Sequence, residues 1–501
     1  QDIKSAGLTN RFDGDIFRDR LTISLQDISG APVGFTGRLI RDIQNAPKYL
    51  NTPQTLLYDK SSNVFGLFQA KSEIRKSGFI VVVEGNMDVI SSHQAGVKNV
   101  VATAGTAITS KHLKTLSRFS GDIRLCFDSD DAGIKATERA ISLAQETGID
   151  LSIITLNQGE ERVKDPDELI QKSVELWTKA INSPKPAIEW ILDQYEKRLN
   201  IARMIYNSCL SEILKRHRKM INSSEYKEIR NLDKKEQSKR YKELDKKYSI
   251  SKFELNKYVK PMTQRFKKNI GSQMGQELAE RAFATYEKFK YGKAKKVYFK
   301  SYGNFYSVRE KGNITGLRFF KEDCCISWLG LKIPVIIKNN DKYAQSCFLD
   351  KLLYCRLLKR VVNGKNKYYV QITFEGTPPK KHKVGGENEI GIDIGTSTIA
   401  IVSDNKVELK ILAENIEINE KEKTRLQRKL DRQRRVNNPN KYNADGTINI
   451  ENKEKWKKSK SYVKTKLKLS NLQRKIAEKR EQSHNILANS ILEIGTIVKV
   501  E

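Results

Sequence analysis

Residues 79–88 read FIVVVEGNMD and residues 122–133 read DIRLCFDSDDAG, and in both stretches acidic residues follow a short apolar run. A third apolar run, Leu151–Leu156, precedes the pair Asp165 and Asp167. Runs of about four to eight residues rich in Val, Ile, Leu and Phe are typical of buried strands in a parallel sheet. Helix-like segments separate the runs, so the sequence predicts an α/β layer fold.

The acidic residues occupy the positions where ligands bind in such a fold. In open α/β sheets the binding site lies outside the carboxyl ends of the strands. We therefore expect Glu84, Asp128, Asp130, Asp165 and Asp167 to line one crevice. Clustered carboxylates repel one another unless cations neutralise them, and their oxygen atoms suit Mg²⁺ or Mn²⁺, the ions of two-metal phosphoryl transfer. Each acid alone is better explained as a solvated turn residue or a helix cap, but acids after all three strands are not readily explained in this way.

The net charge of +32 is unevenly distributed along the 501 residues. Residues 1–200 contain 25 Lys and Arg against 26 Asp and Glu, a net charge of −1. Residues 201–501 contain 67 basic and 34 acidic residues, a net charge of +33. This asymmetry predicts modules with different partners, of which the basic one binds a polyanion.

The cysteines argue against a disulfide or zinc scaffold, and the lengths of the apolar segments argue against a membrane-spanning protein. The six cysteines form no CxxC pair and no regular framework, so we expect reduced thiols with neither a disulfide scaffold nor a zinc site. No apolar stretch approaches the ~20 residues of a membrane-spanning helix. We therefore expect a cytoplasmic protein.

The first 199 residues resemble the Toprim catalytic core of bacterial replicative DNA primase. The motifs that carry this resemblance are VVVEGNMDV (81–89), ATAGTAIT (102–109), FDSDDAG (127–133) and KDPDELI (164–170). It implies template-directed synthesis of RNA primers from ribonucleotides on single-stranded DNA, in the bacterial cytoplasm. It also implies that Glu84, Asp128 and Asp130 are catalytic. The metal-binding residues that it implies are Glu84, Asp88, Asp128, Asp130, Asp165 and Asp167.

The same resemblance continues upstream of the first motif. FRDRLTISLQDISGAPVGFTGRLI (17–40) and PKYLNTPQT (47–55) are similar to the family's basic subdomain, which faces nucleic acid. The residues implied to contact template or nucleotide are Arg18, Arg20, Arg38, Lys48, Tyr49, Asn51 and Lys60. Basic side chains neutralise phosphates and an aromatic ring can stack on a base, although each residue is also explained as a solvated surface residue. The replicative helicase is an implied partner, but we find no counterpart of the domain that binds it.

The basic half combines amphipathic helices with short strands. Residues 201–220 and 276–289 have helical periodicity, whereas residues 297–374 favour short strands separated by Gly and Asn turns. Two basic helices expected within residues 420–482 offer a surface to a nucleic-acid backbone. The alternative is a pair of charged, solvent-facing helices without a ligand.

One acidic residue in this half lies within an apolar strand. The segment IGIDIGTSTIAIV (390–402) contains Asp393, and a carboxylate buried in such a strand is costly without a partner. The pattern therefore indicates a metal ligand, with a turn residue as the alternative.

Residues 200–501 resemble the TnpB-type (OrfB) proteins of insertion sequences, which are RNA-guided DNA nucleases with a RuvC-like, RNase H-type fold. The matching segments are GQELAERAFATYEKFKYGKAKKVYFK (275–300), IGIDIGTSTIAIVSD (390–404), RLQRKLDRQRRVNNPNKYNADGT (425–447) and GTIVKVE (495–501). The resemblance implies that Asp393 and Glu501 are catalytic, metal-binding carboxylates. The family uses a third Asp further along the chain, so we expect no DNA cleavage by these 501 residues.

Together these patterns predict an α/β multidomain chain with a junction near Asn200: a Toprim α/β core, a helical plus β-rich region, and a partial RNase H-like domain. The domains that we expect are a partial basic primase subdomain (1–72), a Toprim domain (73–172), the helical end of the primase core (173–199), a basic helical region (200–295), a β-rich domain (296–385) and a partial RuvC-like domain with a basic helical insertion (386–501).

Three functions follow from this interpretation. The first is primer synthesis by a metal-dependent nucleotidyltransferase that uses Mg²⁺ or Mn²⁺. The second is a TnpB-type RNA-guided DNA endonuclease or a transposase-related fragment. The third is a non-catalytic chimera that binds RNA or DNA through its basic half. A gene fusion and an erroneous join of two sequences both explain the combination.

Overall fold

The computed structural model describes residues 2–10, 12, 14–41, 46–156, 163–377, 385–413 and 417–500. The chain divides into two compact units. The first consists of Gln1–Ile336 and Tyr354–Arg356, and the second of Ile337–Leu353 and Leu357–Glu501. None of the described helices is both long enough and apolar enough to cross a membrane.

A three-stranded antiparallel sheet opens the first unit, in the order β1-β2-β3. Its register pairs Arg20 with Leu39 and Arg38 with Tyr49. The sheet thereby gathers several residues that the primase resemblance assigns to nucleic-acid binding. Its elements are α1 (Asp2–Ser5), β1 (Arg20–Gln26), β2 (Pro32–Leu39) and β3 (Tyr49–Asn51).

A five-stranded sheet forms the core of the first unit, in the order β5-β4-β6-β7-β8. Strands β5, β4, β6 and β7 are parallel, and β8 is antiparallel to β7. Residues Ile80–Val83 are fully buried, and since successive side chains point to opposite faces, both faces of β4 are covered. The elements are α2 (Leu67–Ser77), β4 (Phe79–Val83), α3 (Asn86–Gln94), β5 (Val100–Ala102), α4 (Ser110–Ser117), β6 (Asp122–Cys126), α5 (Asp131–Thr147), β7 (Leu151–Ile153), α6 (Pro166–Lys172), α7 (Val174–Ile181) and β8 (Lys185–Pro186).

This layer confirms the α/β fold that the apolar runs predict. The three expected strands correspond to β4, β6 and β7, although β7 ends at Ile153, three residues before the apolar run does. The edge strand β5 has only three residues, which is too short for a periodicity signal.

A single helix, α8 (Ala187–Ile221), crosses the expected junction at Asn200. Its sequence contains neither Gly nor Pro, and buried residues continue through Leu199, Ala202 and Ile205. The helical end of the primase core and the helix expected at 201–220 are therefore one element. The first compact unit likewise continues past residue 200 as far as Ile336.

Four helices and four short strands complete the first unit as far as Ile336. Helices α11 and α12 pack against each other and against α8. Strands β10, β11 and β12 form an antiparallel sheet. The elements are α9 (Ser224–Ile229), α10 (Lys234–Lys247), α11 (Lys252–Arg265), α12 (Ser272–Lys290), β9 (Ser307–Arg309), β10 (Leu317–Phe320), β11 (Cys325–Trp328) and β12 (Leu331–Pro334).

The sheet β10-β11-β12 packs on α8 through a buried cluster around Trp328. The indole of Trp328 is fully buried, and its ring centroid lies 5.3 Å from that of Tyr195 on α8. The Tyr195 hydroxyl donates a hydrogen bond to the Leu331 carbonyl at 3.0 Å. The Arg198 guanidinium donates to the Trp328 carbonyl and forms an ion pair with Glu138 of α5 at 3.2 Å. Residues on either side of Asn200 therefore share one hydrophobic core.

The second unit contains a four-stranded sheet and two long helices. The sheet order is β17-β16-β15-β18, in which β18 is parallel to β15 and the other pairs are antiparallel. Helices α14 and α15 pack together and correspond to the two basic helices expected within 420–482. The remaining elements of the chain are α13 (Lys342–Cys347), β13 (Leu352–Val362), β14 (Lys365–Phe374), β15 (Glu389–Ile394), β16 (Thr398–Ser403), β17 (Lys406–Ile411), α14 (Glu417–Asn437), a 3₁₀ turn (Pro439–Lys441), α15 (Lys460–Ile494) and β18 (Ile497–Val500).

Candidate active site

Two acidic residues meet at the carboxyl ends of β4 and β6. The parallel register pairs Val83 with Cys126, so the two strands end side by side. Glu84 follows β4 directly and Asp128 follows β6 after one intervening residue. Both side chains are half-buried. We call this edge, with the neighbouring acids of α3, α5 and α6, the acid edge; its residues are Glu84, Asp88, Asp128, Asp130, Asp165 and Asp167.

Asp88 connects α3 to the start of α6. It is buried, and its Oδ2 accepts a hydrogen bond from the Gly85 N–H at 3.0 Å. Its Oδ1 accepts from the Asp167 N–H at 3.3 Å. The Ser91 hydroxyl donates to Oδ1 of Asp167 at 2.5 Å. These bonds fix the position of Asp167 beside α3, although 79 residues separate it from Asp88.

Asp130 and Asp165 cap helices at this edge. Oδ1 of Asp130 accepts hydrogen bonds from the N–H groups of Ala132 and Gly133, both at 2.9 Å, at the start of α5. Oδ1 of Asp165 accepts from the Glu168 N–H at 2.8 Å, at the start of α6. The helix-cap interpretation therefore applies to both residues. A cap of this kind uses one carboxylate oxygen of two.

The acids at this edge influence one another's protonation. Burial raises the pKa of Asp88 to about 7, and the charges of Asp128 and Asp165 act in the same direction. Burial also raises the pKa of Asp128 to about 6, and the charges of Glu84 and Asp165 add to this effect. The acid edge thus behaves as one electrostatic cluster with excess negative charge.

The donor chemistry of the acid edge fits a divalent cation. Among the described residues, Oε2 of Glu84 is buried without a hydrogen-bond partner, a state that costs free energy unless a cation or donor approaches it. Carboxylate oxygens are the ligands that Mg²⁺ and Mn²⁺ prefer. Within the same described part of the chain, no three His, Cys, Asp or Glu side chains form a ready metal-ligand group. The acids are therefore neighbours that have not converged on one point.

We expect Mg²⁺ to stabilise the protein more at about pH 8 than at about pH 5. Asp88 and Asp128 have pKa values of about 7 and 6, so a metal ion displaces protons from them at the lower pH. Without metal, the contribution of these two carboxyls to stability has the opposite sign. Both pKa values exceed the ordinary 3.8, so this contribution is fully present below about pH 4 and is lost as the pH rises to about 7.

Thermal unfolding with and without Mg²⁺ across this pH range measures both effects. At saturation near 100 times Kd, the metal is expected to add about 2.7 kcal/mol at the higher pH. Glu84→Gln should remove the Mg²⁺-dependent gain, whereas Asp150→Asn, at the amino end of β7, should keep it. An equal Mg²⁺ effect at both pH values contradicts the expectation.

A cleft next to Asp128 was not expected from the sequence. It has a volume of about 610 Å³ and is bounded by the end of β7, by α8 and by residues 302–305. Charged side chains from α8 line it, among them Lys197 and Arg203. We call it the α8 cleft. Lys197 precedes Asn200 and Arg203 follows it, so the continuity of α8 across Asn200 is what adds Arg203 to the cleft. The sequence signal for that continuity is the unbroken apolar periodicity of the helix.

Two family models match the first part of the chain. Residues 1–71 match the N-terminal domain of the DNA primase catalytic core, and residues 81–170 match a Toprim-like domain. Residues 1–170 form a primase-like region. The DNA primases of Synechococcus elongatus and Rickettsia bellii are each 41% identical to this chain, over 194 and 187 residues. These alignments cover 37% and 36% of this chain but only 27% and 30% of the relatives.

One similar solved structure is a DNA primase domain from Pseudomonas aeruginosa, which is 34% identical to this chain. The match covers 39% of this chain and 61% of the Pseudomonas chain, with a TM-score of 0.35. The chain thus spans less than a third of the length of the Synechococcus elongatus and Rickettsia bellii primases.

Two of the residues assigned to nucleic-acid binding serve the structure of the primase-like region. The Arg20 guanidinium donates hydrogen bonds to the carbonyls of Pro47 at 2.7 Å and of Gly37 at 3.2 Å. The amide of Asn51 donates to the Ala104 carbonyl at 2.7 Å. Arg20 therefore stabilises the loop before β3, and Asn51 links the antiparallel sheet to the loop after β5 by a hydrogen bond.

The other residues of this set lie on the surface of the primase-like region. Arg18 is exposed and lies 3.9 Å from the Asp19 carboxylate, a weak surface ion pair. The Arg38 guanidinium lies 5.9 Å from the centroid of the exposed Tyr49 ring. Lys48 is exposed and Lys60 is half-buried. This part of the set thus consists of four cationic side chains and one aromatic ring, all exposed or half-buried.

The prediction that Asp393 is buried within an apolar strand is wrong. Side chains alternate across β15, so Ile390 and Ile392 are buried and Asp393 is exposed, opposite Ala400 on β16. An exposed carboxylate needs no ligand to stay charged, so burial does not identify it as a metal ligand. Glu501 lies outside the described residues, beyond Val500, which pairs with Ile392.

Proposed function

We propose that the acid edge synthesises RNA primers on single-stranded DNA by metal-dependent nucleotidyl transfer. The observation that carries the proposal is the meeting of Glu84 and Asp128 at adjacent parallel strand ends, inside a region that matches primase catalytic-core domains. The choice of template agrees with one solved DnaG primase, whose catalytic domain is bound to single-stranded DNA. The cytoplasmic location and the helicase partner stay predictions.

The acids have separate roles in this proposal. Glu84, Asp128 and Asp130 would hold Mg²⁺ or Mn²⁺, and the bound ion would supply positive charge that stabilises the reacting phosphate. Asp88 positions the loop at Gly85 and the start of α6 through its two hydrogen bonds. Asp165 and Asp167 complete the acidic cluster from α6. The half-buried carboxylates keep their mutual repulsion until a cation arrives, which favours metal binding.

Cationic side chains in and around the antiparallel sheet supply the nucleic-acid contacts in this proposal. Arg18, Arg38 and Lys48 neutralise phosphates, Lys60 reinforces them, and Tyr49 stacks on a base. Arg20 and Asn51 act indirectly, because their polar atoms already bind backbone carbonyls. Loss of either should alter the position of the sheet rather than remove a phosphate contact.

A primer-synthesis assay tests this function directly. The full chain is incubated with single-stranded DNA, labelled ribonucleotides and Mg²⁺, and short RNA products are expected. They should disappear when a chelator removes the metal. A chain that folds and binds DNA but gives no product with Mg²⁺ or Mn²⁺ contradicts the proposal. The decisive substitution is discussed below.

The second unit supports a second candidate, a TnpB-type nuclease module in which Asp393 binds metal. Its sheet has three antiparallel strands and a fourth, β18, parallel to β15, which suits the RNase H-type fold of that family. Asp393 is exposed near the end of β15, and the basic helices α14 and α15 suit an RNA backbone.

A guided cleavage assay distinguishes this module from a non-catalytic nucleic-acid binder. The sequence predicts no cleavage by these 501 residues. DNA cleavage that Asp393→Ala abolishes, with RNA affinity unchanged, would overturn that prediction and establish the catalytic role of Asp393. Salt-dependent RNA binding with no cleavage by either protein would favour the non-catalytic alternative, because phosphate contacts alone need no carboxylate.

A further inference from the structure

A segment rich in lysine and aromatic residues joins α12 to β9. Residues 291–306 read YGKAKKVYFKSYGNFY, with four Lys and no Asp or Glu. We call this segment the aromatic strip. Five of its rings are exposed, with exposed fractions between 45% and 79%. They belong to Tyr291, Tyr298, Phe299, Tyr302 and Tyr306.

The strip is attached to α8 at two of its residues, Lys300 and Phe305. The Asn207 side chain donates a hydrogen bond to the Lys300 carbonyl at 2.8 Å and accepts one from the Lys300 N–H at 2.9 Å. Arg203 donates to the same carbonyl at 3.1 Å. Phe305 is buried, with its ring centroid 5.7 Å from that of Tyr206. The backbone of the strip is thus attached to α8 while the other rings face solvent.

Exposed rings on an attached backbone indicate a binding surface. A single solvent-exposed aromatic residue needs no explanation, but five exposed rings among lysines in one short segment present apolar area that a partner can cover. Lys296 Nζ lies 5.6 Å from the Tyr298 centroid, and Arg203 Cζ lies 6.0 Å from the Tyr302 centroid. Positive charge therefore accompanies the rings themselves.

Single-stranded nucleic acid has the chemistry that this surface fits. Its unpaired bases offer flat faces for stacking on Tyr and Phe, and its phosphates suit Lys. A duplex hides its base faces and would engage the lysines alone. The strip also ends at the α8 cleft, because Tyr302 and Gly303 line that cleft together with Asp128.

We propose that the aromatic strip binds single-stranded nucleic acid by base stacking and that the strand continues through the α8 cleft to the acid edge. The binding step stands independently of primer synthesis. The route to the acid edge rests on the proposed function.

Fluorescence anisotropy with the full chain tests the binding step without metal or nucleotides. The probes are labelled oligothymidylate, oligouridylate and an abasic strand of the same length. The abasic strand keeps the phosphates but has no bases, so it isolates stacking from charge at every other basic surface of the protein. Wild-type protein should bind the strands with bases more tightly than the abasic strand.

The double substitution Tyr298→Ala and Tyr302→Ala should weaken binding of at least one base-containing strand about tenfold or more, because each stacked ring typically contributes that much. Binding of the abasic strand should stay unchanged. Tyr302→Phe should retain the affinity, since it keeps the ring. Tyr343→Ala is the matched control, because Tyr343 is also exposed but lies outside the strip.

The results separate DNA from RNA and binding from catalysis. A loss confined to oligothymidylate assigns the strip to DNA, and a loss confined to oligouridylate assigns it to RNA. Equal affinity of the double variant and the wild type for both strands overturns the inference, provided their unfolding temperatures agree. If binding follows the expectation and primer synthesis is absent, only the proposed function and the route to the acid edge fail.

Discussion

Asp128→Asn is expected to reduce primer synthesis by about a hundred- to a thousandfold without loss of the fold. Asparagine keeps the shape of the side chain but removes the negative charge that a divalent cation requires. The same change relieves repulsion from Glu84 and Asp165, which help to raise the pKa of Asp128. The metal-free variant should therefore be at least as stable as the wild type near neutral pH.

The measurement combines primer synthesis with thermal unfolding. A fall in activity together with an unchanged or higher unfolding temperature identifies a functional carboxylate, since a purely structural residue would lower both. Asp150→Asn provides the control, because Asp150 is exposed at the amino end of β7, the opposite end of the sheet from the acid edge. Full primer synthesis by Asp128→Asn would refute the proposed site.

Trp328→Ala is expected to lower the free energy of unfolding by about 3–5 kcal/mol. The indole is fully buried against Tyr195, and its removal leaves a cavity between β11 and α8. The Arg198 side chain, which donates to the Trp328 carbonyl and pairs with Glu138, loses part of its packing as well. Because α8 also contacts the five-stranded sheet, the primase-like region should lose stability with it.

Urea unfolding measures the size of this effect, and hydrogen exchange measures its location. Amide protons of β4 should exchange faster in Trp328→Ala if residues beyond Asn200 unfold together with the primase-like region. Trp456→Ala is the matched control, because this indole is 38% exposed and lies in the second unit. It should leave exchange in β4 unchanged. Unaltered exchange of β4 in Trp328→Ala would show that the two parts unfold separately.

The acid edge was predictable because its signals are local. Strands buried on both faces are mostly apolar, so β4 is visible as a run of Phe, Ile and Val, and β6 as Ile123, Leu125 and Cys126 on either side of Arg124. Glu84 and Asp128 follow those runs directly, and the parallel geometry places them together. Asp130 and Asp165 show the limit of this reasoning, since spacing alone does not separate a helix cap from a metal ligand.

Other features depend on partners that are distant in sequence. By residue type alone Arg20 is available for phosphate, but the carbonyl of Pro47 lies 2.7 Å from its guanidinium and accepts its hydrogen bond. Asp393 is expected to be buried in an apolar strand, but the alternation of β15 places it on the exposed face. Arg20 and Asp393 each carry the charge that the sequence-based prediction requires. Their hydrogen bonds and exposure, however, depend on residues that are distant in sequence.

The α/β layer, the acidic residues at the strand ends and the division of charge between the two parts of the chain could be predicted, because composition and short-range order encode all three. Three features became visible only in the folded chain: α8 runs through Asn200, Trp328 packs against it, and the aromatic strip reaches the α8 cleft. These are long-range contacts, and long-range contacts depend on how side chains far apart in the chain pack against one another.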